Sequence, residues 1–424
     1  MKDKKKILSI VFMVVVAIIL ICSMIFIYKT VKDKEQPDGP GASTPVSKTS
    51  DFNNKIIKAV HSNVENENYM ISPYSLEVVL SMLRDGASEG TLEELNKLVP
   101  ERDIKTFEVK ERINVANALF IKNGIKVKDN FKNIMTNKYQ SEVIVDEFTT
   151  PKAINDWANK ETYGMIPKVL ETVGDNFLLG LGNAVAIDVE WKKKFECSST
   201  KLEEFTKLDG NKIDVAMMHN YYEGGASYYK DSNATYVSIP YRSYSSDGEY
   251  DRNGIQLEFV GILPEEDVDS YISSFNFNDI GSVVKKMEEA SDEFNIRLSL
   301  PKFKYDYSVE GLKGILDDLG LKETFGLKPN FEKIADYDMS ISEVVHKSFI
   351  DLGESGTKAA AVTVITIADN AIATEKPKVV EVNFNKPFVY LIKDKSSDEI
   401  LFFGVVYSPT EYTENDVLCE EVDE

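Results

Sequence analysis

The spacing of apolar residues predicts helices mainly in the first part of the chain. In these segments apolar side chains recur every three to four residues, which places them on one face of a helix. Two of the segments begin with Ser-Pro or Thr-Pro, a pair that is typical of a helix N-terminus. The predicted helices lie within residues 51–64, 72–87, 126–140, 150–166, 283–290 and 307–320.

Strand patterns become more frequent toward the C-terminus. Some of these segments alternate apolar and polar residues, and others are short apolar runs typical of central strands. They lie within residues 112–124, 142–148, 183–191, 256–264, 294–303 and 387–409. The segments lack the regular strand–helix alternation of a doubly wound fold. The pattern therefore predicts one large α+β domain.

The N-terminus carries the longest apolar run. Residues 7–28 form 22 uncharged positions, enough for a helix that crosses a bilayer. No small-residue cleavage site follows, so we expect an uncleaved anchor. The basic end, residues 1–6, is expected on the cytoplasmic side. A flexible stalk (29–50) then leads to an extracellular domain (51–410) and an acidic tail (411–424). A secreted protein is the alternative.

Charge and motif content exclude several functions. The net charge is −21, and no basic cluster follows the first residues, which argues against a nucleic-acid partner. There are only three histidines, His61, His219 and His346, and no metal-binding pair among them, so no metal site or other cofactor is expected. No nucleophile elbow is present. In "GESGTK" Thr357 separates the last glycine from Lys358, unlike a phosphate-binding loop. The protein is therefore not expected to be an enzyme.

Cysteine content adds little to this picture. Outside the apolar run, which contains Cys22, only Cys197 and Cys419 remain. Two cysteines make no disulfide framework, and whether they pair stays open.

The stretch "GESGTKAAAVTVITIADNAIATEKPKVVEVNFNKPF" (353–388) is rich in small and β-branched residues where a surface loop is expected. It resembles the hinge and end of the reactive loop of the serpins. The segments "NYMISPYSLEVVLSML", "NVANALFIKNG", "LGNAVAIDVEWKKKF", "LPKFKYDYSVEGLKGILDDLGLKETF" and "ISEVVHKSFIDLGESGTKAAA" are similar to other serpin segments, in family order. The resemblance implies three β-sheets with eight to nine helices and an exposed reactive-centre loop. We expect a membrane-anchored bacterial member.

The resemblance also implies a mechanism. Serpins inhibit serine or cysteine proteases once: the loop is cut and enters the large sheet while the protease is still acylated to it. We expect the uncut hinge to be solvated and, once inserted, to turn small alternate residues inward. The implied hinge residues are Glu354, Gly356, Thr357, Ala359, Ala361 and Thr363. A departure from the family is Lys358, where an acidic residue is usual, but this position faces outward.

Two further groups follow from the resemblance. The shutter, the polar cluster beneath the sheet where strands part, would comprise Ser72, Ser75, Asn183 and His346. The breach, at the top of the sheet where the loop first inserts, would comprise Trp191, Lys302 and Glu354.

The resemblance gives two different positions for the reactive bond. Family spacing from Gly356 places it at Asn370–Ala371, with alternatives at Ile372, Ala373 and Thr374. Spacing from the downstream motif gives Lys376–Pro377 instead, but proteases resist cutting before proline. The bond is therefore expected between Ile367 and Thr374. Small apolar residues there favour an elastase-like or subtilisin-like target, whereas recognition of Asn370 would indicate an asparagine-directed protease.

Two other functions remain as alternatives. One is a non-inhibitory serpin that serves as a binding or carrier protein, which bulky inward hinge residues would favour. The other is a membrane-tethered hydrolase, which the motif content disfavours. The expected partners are the target endopeptidase, bound covalently, and the membrane, and the protein is expected to be a monomer.

Overall fold

The computed structural model describes residues 51–103, 105, 107–174, 176–341, 344–357, 377–397, 399–416 and 418. The chain divides into two units, residues 1–48 and 49–424, and every described residue belongs to the second. The apolar run at 7–28 lies outside the described residues. Among those that are described, no helix has the length and apolar character needed to cross a membrane.

Eight α-helices occur in the described part of the chain. Most of them have one apolar face packed on a sheet, as their residue spacing predicts. They are α1 (Phe52–His61), α2 (Pro73–Gly86), α3 (Glu89–Leu98), α4 (Asp129–Lys138), α5 (Lys152–Glu161), α6 (Val268–Ser274), α7 (Ile280–Glu289) and α8 (Leu312–Asp318).

Eighteen strands occur in the same described ranges. They are β1 (Tyr69–Ile71), β2 (Glu108–Val109), β3 (Ile113–Lys122), β4 (Glu142–Asp146), β5 (Leu179–Ile187), β6 (Val189–Glu190), β7 (Lys201–Thr206), β8 (Lys212–Tyr222), β9 (Ser227–Lys230), β10 (Ala234–Tyr244), β11 (Ile255–Pro264), β12 (Phe294–Pro301), β13 (Phe303–Ser308), β14 (Lys347–Gly353), β15 (Gly356–Thr357), β16 (Lys378–Asn383), β17 (Phe388–Asp394) and β18 (Ile400–Val406).

A six-stranded antiparallel sheet, in the order β1-β18-β17-β11-β10-β9, forms the centre of the domain. Strands β17 and β18 are buried along their whole length, and they belong to the main hydrophobic core. Within this sheet, Lys393 and Glu258 form a buried ion pair with an N–O distance of 2.8 Å. A second sheet has four strands in the order β16-β12-β8-β7, and its buried residues belong to the same hydrophobic core.

A larger sheet is present as two four-stranded halves. In one half β3 pairs with β2, β4 and β5, and in the other the order is β13-β14-β15-β6. The halves are joined because β5 runs into β6 through Asp188 alone. Among the described residues, β5 pairs with β3 but not with β14, and we call this boundary between β5 and β14 the seam. The mixed α+β class and the arrangement of sheets match the sequence prediction.

Most predicted elements are present with small changes in their bounds. Helix α2 begins after Ser72, whose side chain accepts a hydrogen bond from the backbone N–H of Ser75 at 3.0 Å. The helix predicted within 307–320 is shorter, because its first residues extend β13 and Gly311 sits in a left-handed conformation with φ of 65°. Strands β7, β8 and β10 and helix α3 are additional elements that the apolar spacing did not indicate.

Candidate functional site

The two-residue strand β15 lies at the top of the seam. Gly356 pairs with Gly353 of β14 on one side and with Glu190 of β6 on the other. Thr357 pairs in the same way with Leu352 and with Val189 of β6. The beginning of the expected hinge is therefore already a strand inside the sheet. We use the name breach for this region, now defined by β15, Trp191, Lys302 and the Glu354–Ser355 turn.

Glycine is required at position 356 for a steric reason. Its φ is 155°, and a Cβ atom added there would lie 2.1 Å from the backbone oxygen of Val189. No side chain fits at that distance, so only glycine allows β15 to pair so closely with β6.

Thr357 is buried, with 3% of its surface exposed. Its hydroxyl lies 2.6 Å from the phenol oxygen of Tyr241, and the two form a hydrogen bond. Burial raises the pKa of Tyr241, so the phenol stays protonated and available for this bond. The expectation of a solvated hinge is thus wrong at Gly356 and Thr357, because β14 and β6 supply backbone partners for them.

Trp191 organises the inner side of the breach. Its ring is fully buried and stacks on Tyr241, with centroids 4.4 Å apart. The indole Nε1 donates to the backbone oxygen of Gly353, and the backbone N–H of Trp191 donates to that of Ser355, both at 2.9 Å. Trp191 therefore fixes the turn that leads from β14 into β15.

The carboxylate of Glu354 is held from two sides. Thr200 donates its hydroxyl to one oxygen at 2.9 Å, and the ammonium of Lys302 lies 3.1 Å from the other. The side chains of Lys302 and Glu354 are 19% and 14% exposed, so the pair is mostly shielded from water. The structure thus brings all three expected breach residues together, although their role in loop insertion remains a prediction.

The four expected shutter residues all line one cavity of about 280 Å³ at the seam. Ser72 and His346 are directly bonded, since the backbone N–H of Ser72 donates to the His346 Nε2 atom at 2.9 Å. Asn183 is not part of that cluster. Its amide donates to the Oδ1 atom of Asn117 on the neighbouring strand at 2.8 Å. The shutter is thus two polar groups that share one cavity.

This cavity is largely apolar, but two of the residues that line it have unsatisfied polar atoms. It is bounded by β5, the start of β14 and helix α5. The Asn183 Oδ1 and Trp157 Nε1 atoms are buried and have no hydrogen-bond partner among the described residues. Unpaired buried polar atoms are costly, and these two are an acceptor and a donor that a further segment could satisfy.

The rest of the expected loop lies outside the described residues. This applies to Ala359, Ala361 and Thr363 of the hinge and to Asn370, Ala371, Ile372, Ala373 and Thr374 around the reactive bond. The chain is described again from Pro377, which leads into β16 beside β12.

Sequence reasoning missed several residues of the site. Tyr241 and Thr200 lie far from the hinge in sequence, and only the fold brings them to it. Asn117 had a weak signal, since it is a polar residue in the middle of the mainly apolar strand β3. Cys197, three residues before Thr200, is in a disulfide bond. No group of residues that could hold a metal ion occurs in the described ranges.

His346 makes the stability of the shutter depend on pH. Burial lowers its pKa to about 4, below the value of about 6.5 expected in the unfolded chain. The unfolded state therefore binds more protons between these values, and stability falls as pH drops through them.

We expect the free energy of unfolding of the wild type to lose about 2 kcal/mol through this group between pH 7 and pH 5. The His346→Gln variant keeps an acceptor for the Ser72 N–H but has no titrating ring. Urea unfolding at both pH values should give a smaller loss for this variant. Equal losses in the two proteins would contradict the assignment.

Comparisons with known proteins agree with this geometry. Residues 47–409 match the family described as serpin (serine protease inhibitor). A serpin-like protein of Thermococcus kodakarensis is 30% identical over 81% of each chain. The leukocyte elastase inhibitor of Xenopus tropicalis is 27% identical over 84% of this chain and 97% of its own.

Two solved structures show the same fold. Native tengpin, a thermophilic serpin, has a TM-score of 0.71 and 29% identity over 88% of this chain and 97% of its own. Thyroxine-binding globulin in complex with thyroxine has a TM-score of 0.68 and 22% identity over 85% and 98%. The family match covers most of the chain, and the divided sheet and the breach both lie within the matched residues. The chain belongs to the serpin family.

Proposed function

We propose that this serpin inhibits an endopeptidase as a suicide substrate, trapping it by inserting the cleaved loop into the seam. One observation supports this most directly. Strand β15 already lies between β14 and β6, and the seam below it contains a cavity lined by residues of both β5 and β14. A longer strand that continues from Thr357 would add backbone hydrogen bonds along this path.

The chemistry before insertion is ordinary acyl transfer. The protease nucleophile attacks the carbonyl carbon of the reactive bond, and the amine of the following residue leaves, so the loop becomes an ester (or thioester) of the enzyme. Hydrolysis by water would complete normal cleavage. Insertion of about 14 residues at about 3.3 Å each would move the acylated end some 45 Å. The enzyme is then distorted before water can release it.

The order of side chains suits this movement. Thr357 faces the buried side of the sheet, so the alternation of a strand would turn Ala359, Ala361 and Thr363 to the same side. All three are small. Inserted backbone N–H groups could also supply the donor that the Asn183 Oδ1 atom lacks among the described residues. Insertion would thus satisfy a polar atom that is otherwise buried without a partner.

We propose a serine endopeptidase of the elastase or subtilisin type as the target. The segment Ala371–Thr374 offers small apolar side chains to such a pocket. The similarity to a leukocyte elastase inhibitor supports the same class. We place the reactive bond at Asn370–Ala371, within the range Ile367–Thr374.

We further propose that residues 7–28 anchor the protein in a cell membrane with the serpin domain outside. The uncharged run is long enough to span the bilayer. The disulfide at Cys197 fits this location, because disulfides persist in oxidising compartments outside the cytosol.

A non-inhibitory carrier is the second candidate. Thyroxine-binding globulin shares the fold, so the fold alone does not imply inhibition. The small residues expected on the inner face of the hinge favour the inhibitor. A panel of endopeptidases analysed on denaturing gels separates the two: an inhibitor gives a covalent complex, and a carrier gives at most a cut loop.

Thr357→Arg should convert the inhibitor into a substrate. A long cation at this buried position costs several kcal/mol, so β15 of the uncut variant should leave the sheet, and insertion must then bury the cation as part of its barrier. Each ~1.4 kcal/mol in a barrier is about a tenfold change in rate. Insertion should therefore slow by about two orders of magnitude or more, and elastase or subtilisin should be released active after cutting the same bond. Since Thr357 is buried before cleavage too, circular dichroism must first show that the variant is folded.

Lys358→Glu is the matched control, since position 358 would face outward and Glu is usual there in the family. It should trap protease nearly as well as the wild type. Wild-type yields of covalent complex from the Thr357→Arg variant would rule out the insertion mechanism.

Cleavage of the loop should raise thermal stability. A nick between Ile367 and Thr374 frees the segment to add a full strand at the seam, which increases the number of backbone hydrogen bonds in the sheet. Differential scanning calorimetry of intact and nicked protein should show a higher melting temperature after cleavage. An unchanged or lower value would contradict insertion.

The full chain should remain with membranes after carbonate or high-salt washing, because the span at 7–28 is held by apolar contact and not by charge. A chain that starts at Asp51 is the control and should be found in the supernatant. Full-length protein with an intact N-terminus in the soluble fraction would contradict the anchor.

A further inference from the structure

A row of four polar side chains crosses the sheet β16-β12-β8-β7 on one of its faces. The row consists of Glu203 on β7, His219 on β8, Ser299 on β12 and Asn383 on β16. In the pairing of the strands, His219 and Asn383 lie opposite Ser299, one on each side of it. The proposed insertion mechanism makes no use of these four residues, which we call the sheet row.

The sheet row is accessible from the solvent. Side chains alternate between the two faces of a strand, and on β12 Leu298 and Leu300 are buried whereas Ser299 between them is partly exposed. The side chains of His219 and Glu203 are 30% and 34% exposed. A small molecule in solution can therefore reach the hydroxyl of Ser299.

The imidazole of His219 is held between a hydroxyl and a carboxylate. Its Nε2 atom lies 2.9 Å from the Oε1 atom of Glu203, and its Nδ1 atom lies 3.1 Å from the Oγ atom of Ser299. An ionised carboxylate can only accept hydrogen bonds, so Nε2 carries a hydrogen and donates it to Glu203. In the neutral imidazole Nδ1 is then an acceptor, and the Ser299 hydroxyl donates to it. A serine, a base and a carboxylate that orients the base are the groups that activate a serine as a nucleophile.

Asn383 completes the row on the other side of Ser299. The two residues are paired between the parallel strands β16 and β12, and the backbone N–H of Phe384 donates to the backbone oxygen of Ser299 at 3.0 Å. Val382 is buried and Asn383 is exposed, so the Asn383 side chain leaves the sheet on the same face as Ser299. Neighbouring strands are about 4.8 Å apart, which brings the amide within reach of an oxygen atom next to Ser299. An amide in such a place can stabilise the oxyanion of a tetrahedral intermediate.

We propose that Ser299 is a nucleophile that takes the acyl group of small carboxylic esters, with His219 as the general base and Asn383 as the oxyanion donor. Glu203 is a positioning residue, because it acts through the imidazole. Since the row lies on a partly exposed face of a sheet, it suits a short acyl group. This activity is separate from protease inhibition and does not depend on the reactive loop.

The reaction proceeds in two acyl transfers. The Ser299 Oγ atom attacks the carbonyl carbon, its proton passes to the His219 Nδ1 atom, and the oxyanion accepts a hydrogen bond from Asn383. The bond from the carbonyl carbon to the leaving oxygen then breaks, and that oxygen takes the proton from His219. An alcohol and an acyl ester of Ser299 result. Water attacks this ester in the same way, so that one ester and one water give one acid and one alcohol.

A fluorophosphonate tests the nucleophile, because an activated serine oxygen displaces fluoride and forms a stable adduct. The full-length wild type should be labelled at Ser299, as shown by peptide mass spectrometry. Ser299→Ala should lose this adduct. Ser227→Ala is the matched control, since Ser227 lies in the edge strand β9 of the other sheet, and it should be labelled like the wild type. A wild type without an adduct at Ser299 would overturn the proposal.

Rates of p-nitrophenyl acetate hydrolysis test the other roles, after the rate of Ser299→Ala is subtracted. A general base contributes about 10²–10⁴ in rate, and one oxyanion donor about 10²–10³. His219→Gln and Asn383→Leu should therefore each slow the release of p-nitrophenolate by about a hundredfold or more. Glu203→Gln should lower kcat and leave KM unchanged, because the carboxylate acts only through the imidazole. An unchanged rate in His219→Gln or in Asn383→Leu would overturn the proposal.

Discussion

A strand inside a sheet needs backbone partners on both of its edges, and in this protein the requirement is met only in part along the seam. Strand β15 has two partners, β14 and β6, over two residues. Directly below, β5 is paired with β3 alone among the described residues. Unpaired buried backbone groups are unfavourable, so the addition of a further strand at such a seam would be stabilising. The cavity, the covering helix α5 and the turn at Glu354 are all arranged around it.

The breach and the shutter differ in how closely their side chains are packed. At the breach, Trp191 and Tyr241 fill the space behind β15 with stacked rings, and polar groups hold the turn at its rim. Most of these polar groups have partners within the site. At the shutter the cavity remains, and Asn183 keeps an unsatisfied oxygen there. The top of the seam is therefore well packed, and the middle is the part that has room to change.

Local sequence predicted the elements whose signals are local. The Ser-Pro start of α2 and the apolar runs of β17 and β18 are examples, since capping and continuous burial leave direct marks in the residue order. Strand β8 was missed because its Met, His, Asn and Tyr residues follow neither period clearly. The alternation around Thr357 predicted an inward-facing side chain after insertion, whereas the structure has it buried before any cleavage. Its pairing with β6 could not be predicted, because it depends on residues more than 160 positions away. The contact of Leu418 with Lys302, 116 positions apart, also depends on the fold.

The complete six-stranded sheet gives the molecule a frame that both loop states would share. Its strands are paired in an unbroken order, and its buried Lys393–Glu258 pair lies away from the seam residues. Under the proposed mechanism, a substitution in this frame away from Tyr241, which bonds to Thr357, and from Phe402, which lines the seam cavity, would change the free energy of the native and inserted forms by similar amounts. The difference between them, which would drive the proposed insertion, would then be preserved. Selection on global stability and selection on the free-energy difference between the two loop states could thus act on different residues. A lineage could then adapt to a new temperature through substitutions in the frame, with the seam residues unchanged.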